Sequence, residues 1–291
     1  MISRRNALKT LAGSVATTGL LSPLELFAHH HSTGFRIGAC DWSIGHRGEI
    51  EALATGKRIG LNGIQISLGP EPDNMHLLNK ATRQAYKEAA KKQDIALGGI
   101  AIGTLNQIPY KSDPRAEQWV EGSIDAAQDL DCKVILLAFF GDGDIKNDAK
   151  GQKVVIERLR KVAPKAEKAG VILGIESWLS AEEHMAIIDA VGSPNLQVYY
   201  DVANSEKMGY DIYEEIRWLG KQGQICEFHM KENGFLLGEG AVDFKEVRKA
   251  IDDIGYEGWM QIEGAVPEGA DMFESYVHNE NYLRSLFPER S

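Results

Sequence analysis

Several protein classes are excluded by what this chain has little of. It contains three cysteines in 291 residues, Cys40, Cys132 and Cys226. They fit no zinc or redox spacing, and each lies in or beside an apolar, strand-like run. Small buried hydrophobes are therefore their best reading. No Gly-x-Gly-x-x-Gly follows the first apolar run, which leaves a dinucleotide-binding fold without support. Positive charge is short as well: Lys and Arg number 32 against 42 Asp and Glu, a formal net charge of −10. A negative surface repels phosphate backbones and weighs against nucleic acid as the main partner. Long hydrophobic runs are absent too. The modestly apolar stretch that ends at Leu21 is interrupted by Ser, Thr and Gly and is too short to span a bilayer. No internal repeat or low-complexity tract stands out.

What is present reads as one globular domain with a large core, since 43% of the residues are hydrophobic and 25% charged. Apolar runs alternate with helix-period segments along the whole chain. Strands are expected at residues 35–42, 63–68, 95–102, 134–140, 171–177, 196–202, 225–231 and 259–263. Helices are expected at 49–59, 75–93, 114–130, 148–169, from 180 onward, at 212–219, 243–254 and 270–286. Asp113 before Pro114 reads as a helix start, and Ser180 with Glu183 as a capping box. The strands read as continuous apolar runs, as expected when both faces are buried. Eight strands in strict alternation with eight helices indicate an α/β fold, a single (β/α)8 TIM barrel over 35–291. Such a barrel takes ~250 residues, nearly all of this chain.

Four of the later strand-like segments each end on a residue able to bind a metal: LGIES at Glu176, VYYDVAN at Asp201, CEFHMKE at His229 and MQIEG at Glu263. The intervals match a strand, a helix and two short loops. The four side chains are then expected at the carboxyl ends of consecutive parallel strands, where a barrel of this kind carries its chemistry. Three carboxylates and one imidazole suit one divalent ion, Mn²⁺ or Mg²⁺, with Co²⁺ and Zn²⁺ as further options. Each residue also has a structural reading. Asp201 is a candidate helix N-cap, and His229 a candidate core histidine.

These types in this pattern suit removal of a proton beside a carbonyl. A chelated divalent ion stabilises the enediolate, and two carboxylates take the proton away and return it. Glu176 and Glu263 are the natural pair, with Asp201 and His229 as ligands only. Return to the opposite face epimerises, and return to the neighbouring carbon isomerises. Loss of a β leaving group gives elimination.

The segments GIES, YYDVAN, FHMKEN, LGEGAVDF and MQIEG resemble the sugar isomerase/epimerase superfamily of xylose isomerase-like barrels. The resemblance covers most of the chain after residue 35. It implies one divalent ion held by Glu176, Asp201, His229 and Glu263, and proton exchange by the two glutamates. Two positions depart from the pattern of its ketose 3-epimerases: Asn204 stands where many carry a substrate-binding His, and Phe235 where an Arg is frequent. The DNA-repair branch uses extra His on early strands, and the second, third and fourth strands here contain no His or Glu. Asn204, Lys231, Trp42, Trp178 and Glu239 are expected to contact substrate, with Asp41 and Phe140 near the mouth and Phe139 equally suited to core packing.

Residues 1–28 are expected to be an export signal. Ser3-Arg4-Arg5-Asn6-Ala7-Leu8-Lys9 resembles a twin-arginine motif, with Ala7 where a bulky residue is usual. Cleavage near Ala28 would leave residues 29–34, including His29 to His31, as a linker and a periplasmic or otherwise exported enzyme without stable membrane association. Uncleaved, the segment would serve as an anchor. Exported location favours an unphosphorylated keto-sugar as substrate. Epimerisation or isomerisation is the first expectation, and elimination from a 3-keto-glycoside the second. A non-catalytic carbohydrate-binding barrel is the alternative of another class. Homo-oligomerisation is left open.

Overall fold

The sequence period of the strands fixes the architecture. Side chains alternate between the two faces of a strand, so a closed barrel sorts each strand into an outer set and an inner set. Ile37, Phe228, Met230, Met260 and Ile262 pack in one large cluster with helix residues such as Leu53, Ile216, Val247 and Leu283. A second, small cluster of Ala101, Val134, Leu136, Ala138 and Tyr199 lies apart from it, inside the barrel. Dispersion and apolar burial hold helices to strands; the lumen is filled differently.

A computed structural model describes residues 34–289. The proposed export segment and most of the linker lie outside the described residues. Eight parallel strands close in chain order: β1 (Arg36–Cys40), β2 (Gly63–Ser67), β3 (Ala96–Ile102), β4 (Val134–Phe139), β5 (Ile172–Ser177), β6 (Leu196–Asp201), β7 (Ile225–Glu232) and β8 (Trp259–Gly264). The barrel closes through parallel pairing of β1 with β8, from Arg36 against Trp259 to Ala39 against Ile262. The helices are α1 (Glu51–Ile59), α2 (Lys80–Gln93), α3 (Pro114–Leu130), α4 (Ala149–Ala169), α5 (Ala181–Val191), α6 (Val202–Lys207), α7 (Ile212–Lys221), α8 (Phe244–Asp253) and α9 (Met272–Leu286). Among the described residues no helix is long and apolar enough to cross a membrane.

The fold expected from the pattern, a single (β/α)8 barrel, is the one found. The helix starts read from sequence also hold. Asp113 accepts from the Arg115 N–H with Pro114 in the first turn, and Ser180 and Glu183 form the reciprocal capping box. Three differences are instructive. The first strand stops at Cys40, because Asp41–Ile44 turn into a 3₁₀ segment closed by Gly45 at φ 76°. The expected helix from residue 75 is split. Asn79 is extended and caps α2 through the Ala81 N–H, leaving 76–78 as a separate turn. An additional helix, α6, follows β6 directly, nucleated by Asp201.

The strands are also less uniform than continuous apolar runs. In β7 the residues Glu227, His229 and Lys231 alternate with Phe228 and Met230. Phe228 and Met230 belong to the outer core. The polar alternates share the lumen with Tyr199, Gln65 and Gln261, all buried. Space for Gln261 comes from glycine: a Cβ at Gly38 would collide with its amide oxygen, and one at Gly98 would lie 2.7 Å from its Nε2.

Candidate active site

Strand register assembles the cluster. Asp201 on β6 pairs with His229 on β7, and Lys231 pairs with Glu263 on β8. Glu176 stands one residue before the end of β5. One ligand atom from each of Glu176, Asp201, His229 and Glu263 lies within 4.8 Å of the others. His229 Nδ1 sits 2.8 Å from Glu176 Oε1, 3.6 Å from Glu263 Oε2 and 3.9 Å from Asp201 Oδ2. The sequence thus placed these four at the carboxyl ends of β5 to β8, and the fold brings them together.

Asp201 caps a helix and also faces the cluster. Its Oδ1 accepts from the N–H groups of Ala203 and Asn204 at 2.9 and 2.8 Å, capping α6. Its Oδ2 is buried without a hydrogen-bond partner and turns to the cluster. An orphaned carboxylate oxygen is costly in a protein interior. With two further carboxylates and an imidazole nitrogen beside it, the donor set fits a hard or borderline divalent cation.

Electrostatics are divided among the same groups. Burial raises the Asp201 carboxyl to about 7, with Glu176 and Glu263 adding and Lys231 opposing. Burial acts the same way on Glu263, but His229 and Lys231 outweigh it and hold that carboxyl down to about 2. The Lys231 ammonium lies 2.7 Å from Glu263 Oε2 and 3.5 Å from Asp201 Oδ2. It supplies part of the positive charge that three clustered carboxylates need.

A cavity of about 300 Å³ opens above the cluster. Trp42, Trp178, Asn204 and Lys231, all singled out in the sequence, line it with Glu176 and Glu263. The Trp42 indole N–H donates to Glu263 Oε1 at 2.8 Å, fixing that carboxylate. Trp178 packs edge-on to Phe140 at 4.9 Å, and Tyr210 donates to its carbonyl at 2.9 Å. Phe140 lines the cavity while Phe139 packs in the outer core. Glu239 is placed elsewhere, exposed in the turn after β7. That turn is anchored by Glu232, which accepts from the Val242 N–H at 3.0 Å. Asp41 is buried away from the cavity lining and accepts from Ser67 N and Oγ and from Gly48 N, tying the turn after β1 to β2.

Arg47, Gly103 and Asn106 also line the cavity and were missed. They come from the turns after β1 and β3, whose reach over the mouth no periodicity signals. The Arg47 guanidinium lies 5.9 Å from the Trp42 ring. Asn106 accepts from the Phe140 N–H at 2.9 Å, joining the turns after β3 and β4.

Architecture and cluster together define a (β/α)8 barrel with a divalent-metal type of donor set in its mouth. The chain belongs to the xylose isomerase-like TIM-barrel family, which matches residues 53–284. Among curated relatives it is similar to a D-psicose 3-epimerase of Enterocloster bolteae, 26% identical over 138 residues, 44% of this chain and 45% of that protein. It is also similar to a 2-epi-5-epi-valiolone 7-phosphate 2-epimerase of an Actinoplanes species, 24% identical over 60% of this chain and 65% of the relative. The matches thus span less than two thirds of either relative. A D-psicose 3-epimerase from Clostridium cellulolyticum H10, solved with D-tagatose, superposes with a TM-score of 0.73. It is 20% identical, over 86% of this chain and 99% of that one.

Proposed function

We propose that this chain is a divalent-metal-dependent sugar isomerase/epimerase acting on an unphosphorylated keto-sugar. The observation that carries the reading is the convergence of Glu176, Asp201, His229 and Glu263 within 4.8 Å beneath an open cavity. The similarity to two epimerases supports the reaction class.

Glu176, Asp201, His229 and Glu263 would hold one ion, Mn²⁺ or Mg²⁺ by their chemistry. When bound, the ion polarises the substrate carbonyl and neighbouring hydroxyl and so lowers the energy of the enediolate. Glu176 and Glu263 flank the other two ligands on β5 and β8, so one carboxylate removes the proton beside the carbonyl and the other delivers one. Trp42 holds Glu263 through its indole N–H. Lys231, 2.7 Å from Glu263, stabilises the anionic form of that carboxylate. Asn204 offers a hydrogen bond to a substrate hydroxyl without acid function. The Trp42 and Trp178 rings provide apolar faces for a sugar and exclude water.

Elimination from a 3-keto-glycoside is the second reading. Asn204 and Phe235 favour it, because they stand where ketose 3-epimerases of the superfamily frequently carry a substrate-binding His and Arg. Phe235 is 52% exposed and carries no basic group itself. The Arg4-Arg5 segment supports export, and we place the working enzyme in the periplasm or an equivalent compartment; fractionation of cells expressing Arg4→Lys/Arg5→Lys, with the protein retained in the cytoplasm, would bear this out.

The decisive experiment is proton NMR in D₂O, with Mn²⁺ or Mg²⁺ supplied, over free ketoses and 3-keto-glycosides. Deuterium entering a carbon beside the carbonyl of an intact skeleton establishes epimerase or isomerase chemistry. Release of the aglycone moves the reading to a lyase. A metal-loaded protein that binds sugars and neither exchanges nor eliminates would be a binding barrel.

A further inference from the structure

His229 is gripped from behind, in the lumen, by side chains that no substrate in the mouth would touch. Its Nε2 lies 3.0 Å from Gln65 Oε1. An amide oxygen only accepts, so Nε2 carries the hydrogen. The Gln65 amide nitrogen donates to the Tyr199 hydroxyl at 2.9 Å, and that hydroxyl donates to Glu227 Oε2 at 3.0 Å. The Cys40 thiol donates to the same Gln65 oxygen at 3.2 Å. Gln65, Tyr199, Glu227 and His229 are each no more than 2% exposed.

Every donor in this file points away from the cluster and toward Glu227. The direction cannot be reversed piecemeal. The Cys40 sulfur also lies 3.4 Å from Nε2. Turning the Gln65 amide over would set its NH₂ against the Nε2–H and leave the Tyr199 hydroxyl without its donor. In a closed interior each such mismatch is costly. The ring is therefore held with Nε2–H bonded, and Nδ1, hydrogen-bonded to Glu176 Oε1 at 2.8 Å, is the nitrogen that faces the cluster and would take a cation in exchange for its proton.

We propose that Gln65, Tyr199 and Glu227 are positioning residues that lock His229 as an Nδ1 ligand for the divalent ion. The proposal rests on the metal-dependent reading above. It assigns a purpose to three buried polar groups on β2, β6 and β7 that the proton-transfer chemistry leaves unused. Hydrogen bonds to the far nitrogen of a ligating histidine fix its orientation and raise its basicity, and removing them typically weakens metal binding about 10–100-fold.

The test is Mn²⁺ titration of the metal-free protein, read by electron paramagnetic resonance of the free ion. Gln65→Leu is expected to weaken binding about 10–100-fold. Tyr199→Phe, isosteric but for one hydroxyl, should weaken it measurably though less. The Gln65→Leu/Tyr199→Phe double variant should bind no worse than Gln65→Leu, because the file is already cut; independent packing losses would add. Glu227→Gln keeps an acceptor for Tyr199 and should stay close to wild type. Imidazole ¹⁵N spectra of the Mg²⁺-loaded wild type should show the hydrogen on Nε2 alone. Wild-type affinity in Tyr199→Phe, or additive losses in the double variant, would overturn the inference while leaving the metal reading intact. A wild-type protein that binds no Mn²⁺ would overturn both, and Tyr199→Phe decides the matter should Gln65→Leu fail to fold.

Discussion

The two halves of this barrel share a backbone plan and differ in what they turn inward. Strands β1 to β4 give the lumen mostly small or apolar groups, such as Ala101, Leu136 and Ala138, with Gln65 and the Cys40 thiol as polar exceptions. Strands β5 to β8 give it Glu176, Asp201, Glu227, His229, Lys231 and Glu263. The outer faces do not show this division, because both halves pack against helices through one continuous apolar layer. The contrast shows that stability and chemistry are separated by strand face as well as by strand number. One half holds charge and the other keeps room for a substrate. Leu136 and Ala138 line the cavity from β4, beside the first of the charged strands, where Ala138 pairs with Glu176.

Removing a carboxylate from the charged half is the severest way to break that arrangement. Glu176→Gln and Glu263→Gln should each lower turnover by about 10³-fold or more, a general acid–base loss with a ligand loss added. Deuterium wash-in assays give the rate and circular dichroism checks the fold. Turnover retained in either variant would remove that residue from the chemistry.

Lys231→Met tests the charge balance itself. It leaves Asp201 and Glu263 facing each other without the ammonium now 3.5 and 2.7 Å away. The metal-free barrel should lose about 3 kcal/mol of stability, in the range for breaking a buried ion pair. Saturating Mn²⁺ should recover most of it, since the cation restores positive charge. Denaturant melts with and without metal read both numbers. Equal losses in the two conditions would contradict this account of Lys231.

Acid sensitivity should come from just behind the charged half. Burial holds the His184 imidazole down to about 4, below its ordinary 6.5. Its Nε2 and Nδ1 are engaged by Ser177 Oγ and the Ser180 carbonyl at 2.9 and 3.0 Å. The unfolded chain therefore takes up a proton below pH 6.5 that the folded chain refuses until about pH 4. Stability attributable to His184 is intact above pH 6.5 and declines as pH falls, by about 3 kcal/mol at pH 4. His184→Gln should flatten that limb of a stability-against-pH curve.

A change in the quieter half sharpens the comparison with the smallest effect. Ala138→Leu adds bulk to the cavity wall, on a strand that carries no ligand. A fall of about 10-fold in kcat/KM with unchanged Mn²⁺ affinity is expected, the scale of one or two misplaced methylenes. Weakened metal binding would show that the halves are not separable.

The parts legible in the sequence were those with a period. Strand–helix alternation gave the barrel, and the spacing of Glu176, Asp201, His229 and Glu263 gave the cluster, because both follow from how many residues a βα unit requires. Hydrogen-bonding logic of single residues gave the caps at Asp113 and Ser180. Arg47 and Asn106 were not legible, since a turn's path over the mouth is set by tertiary contacts such as Asn106 with the Phe140 amide. Gln65 and Tyr199 lay hidden inside GIQIS and VYYD, where one polar atom in an apolar run reads as core. The clue was the strict alternation in CEFHMKE, which sorts Glu227 onto the same face as His229. A residue pattern identifies a face; it does not say what crosses the lumen to meet it.

Asp201 joins two events that are usually separate. One oxygen starts helix α6 and the other faces Glu176, His229 and Glu263. Because both draw on one carboxylate, ion loading is expected to tighten that helix. Asn204, a cavity wall residue, belongs to the same helix. The amides of Ala203 and Asn204 are thus a built-in gauge of occupancy: their hydrogen exchange should slow as the ion binds, before any sugar arrives.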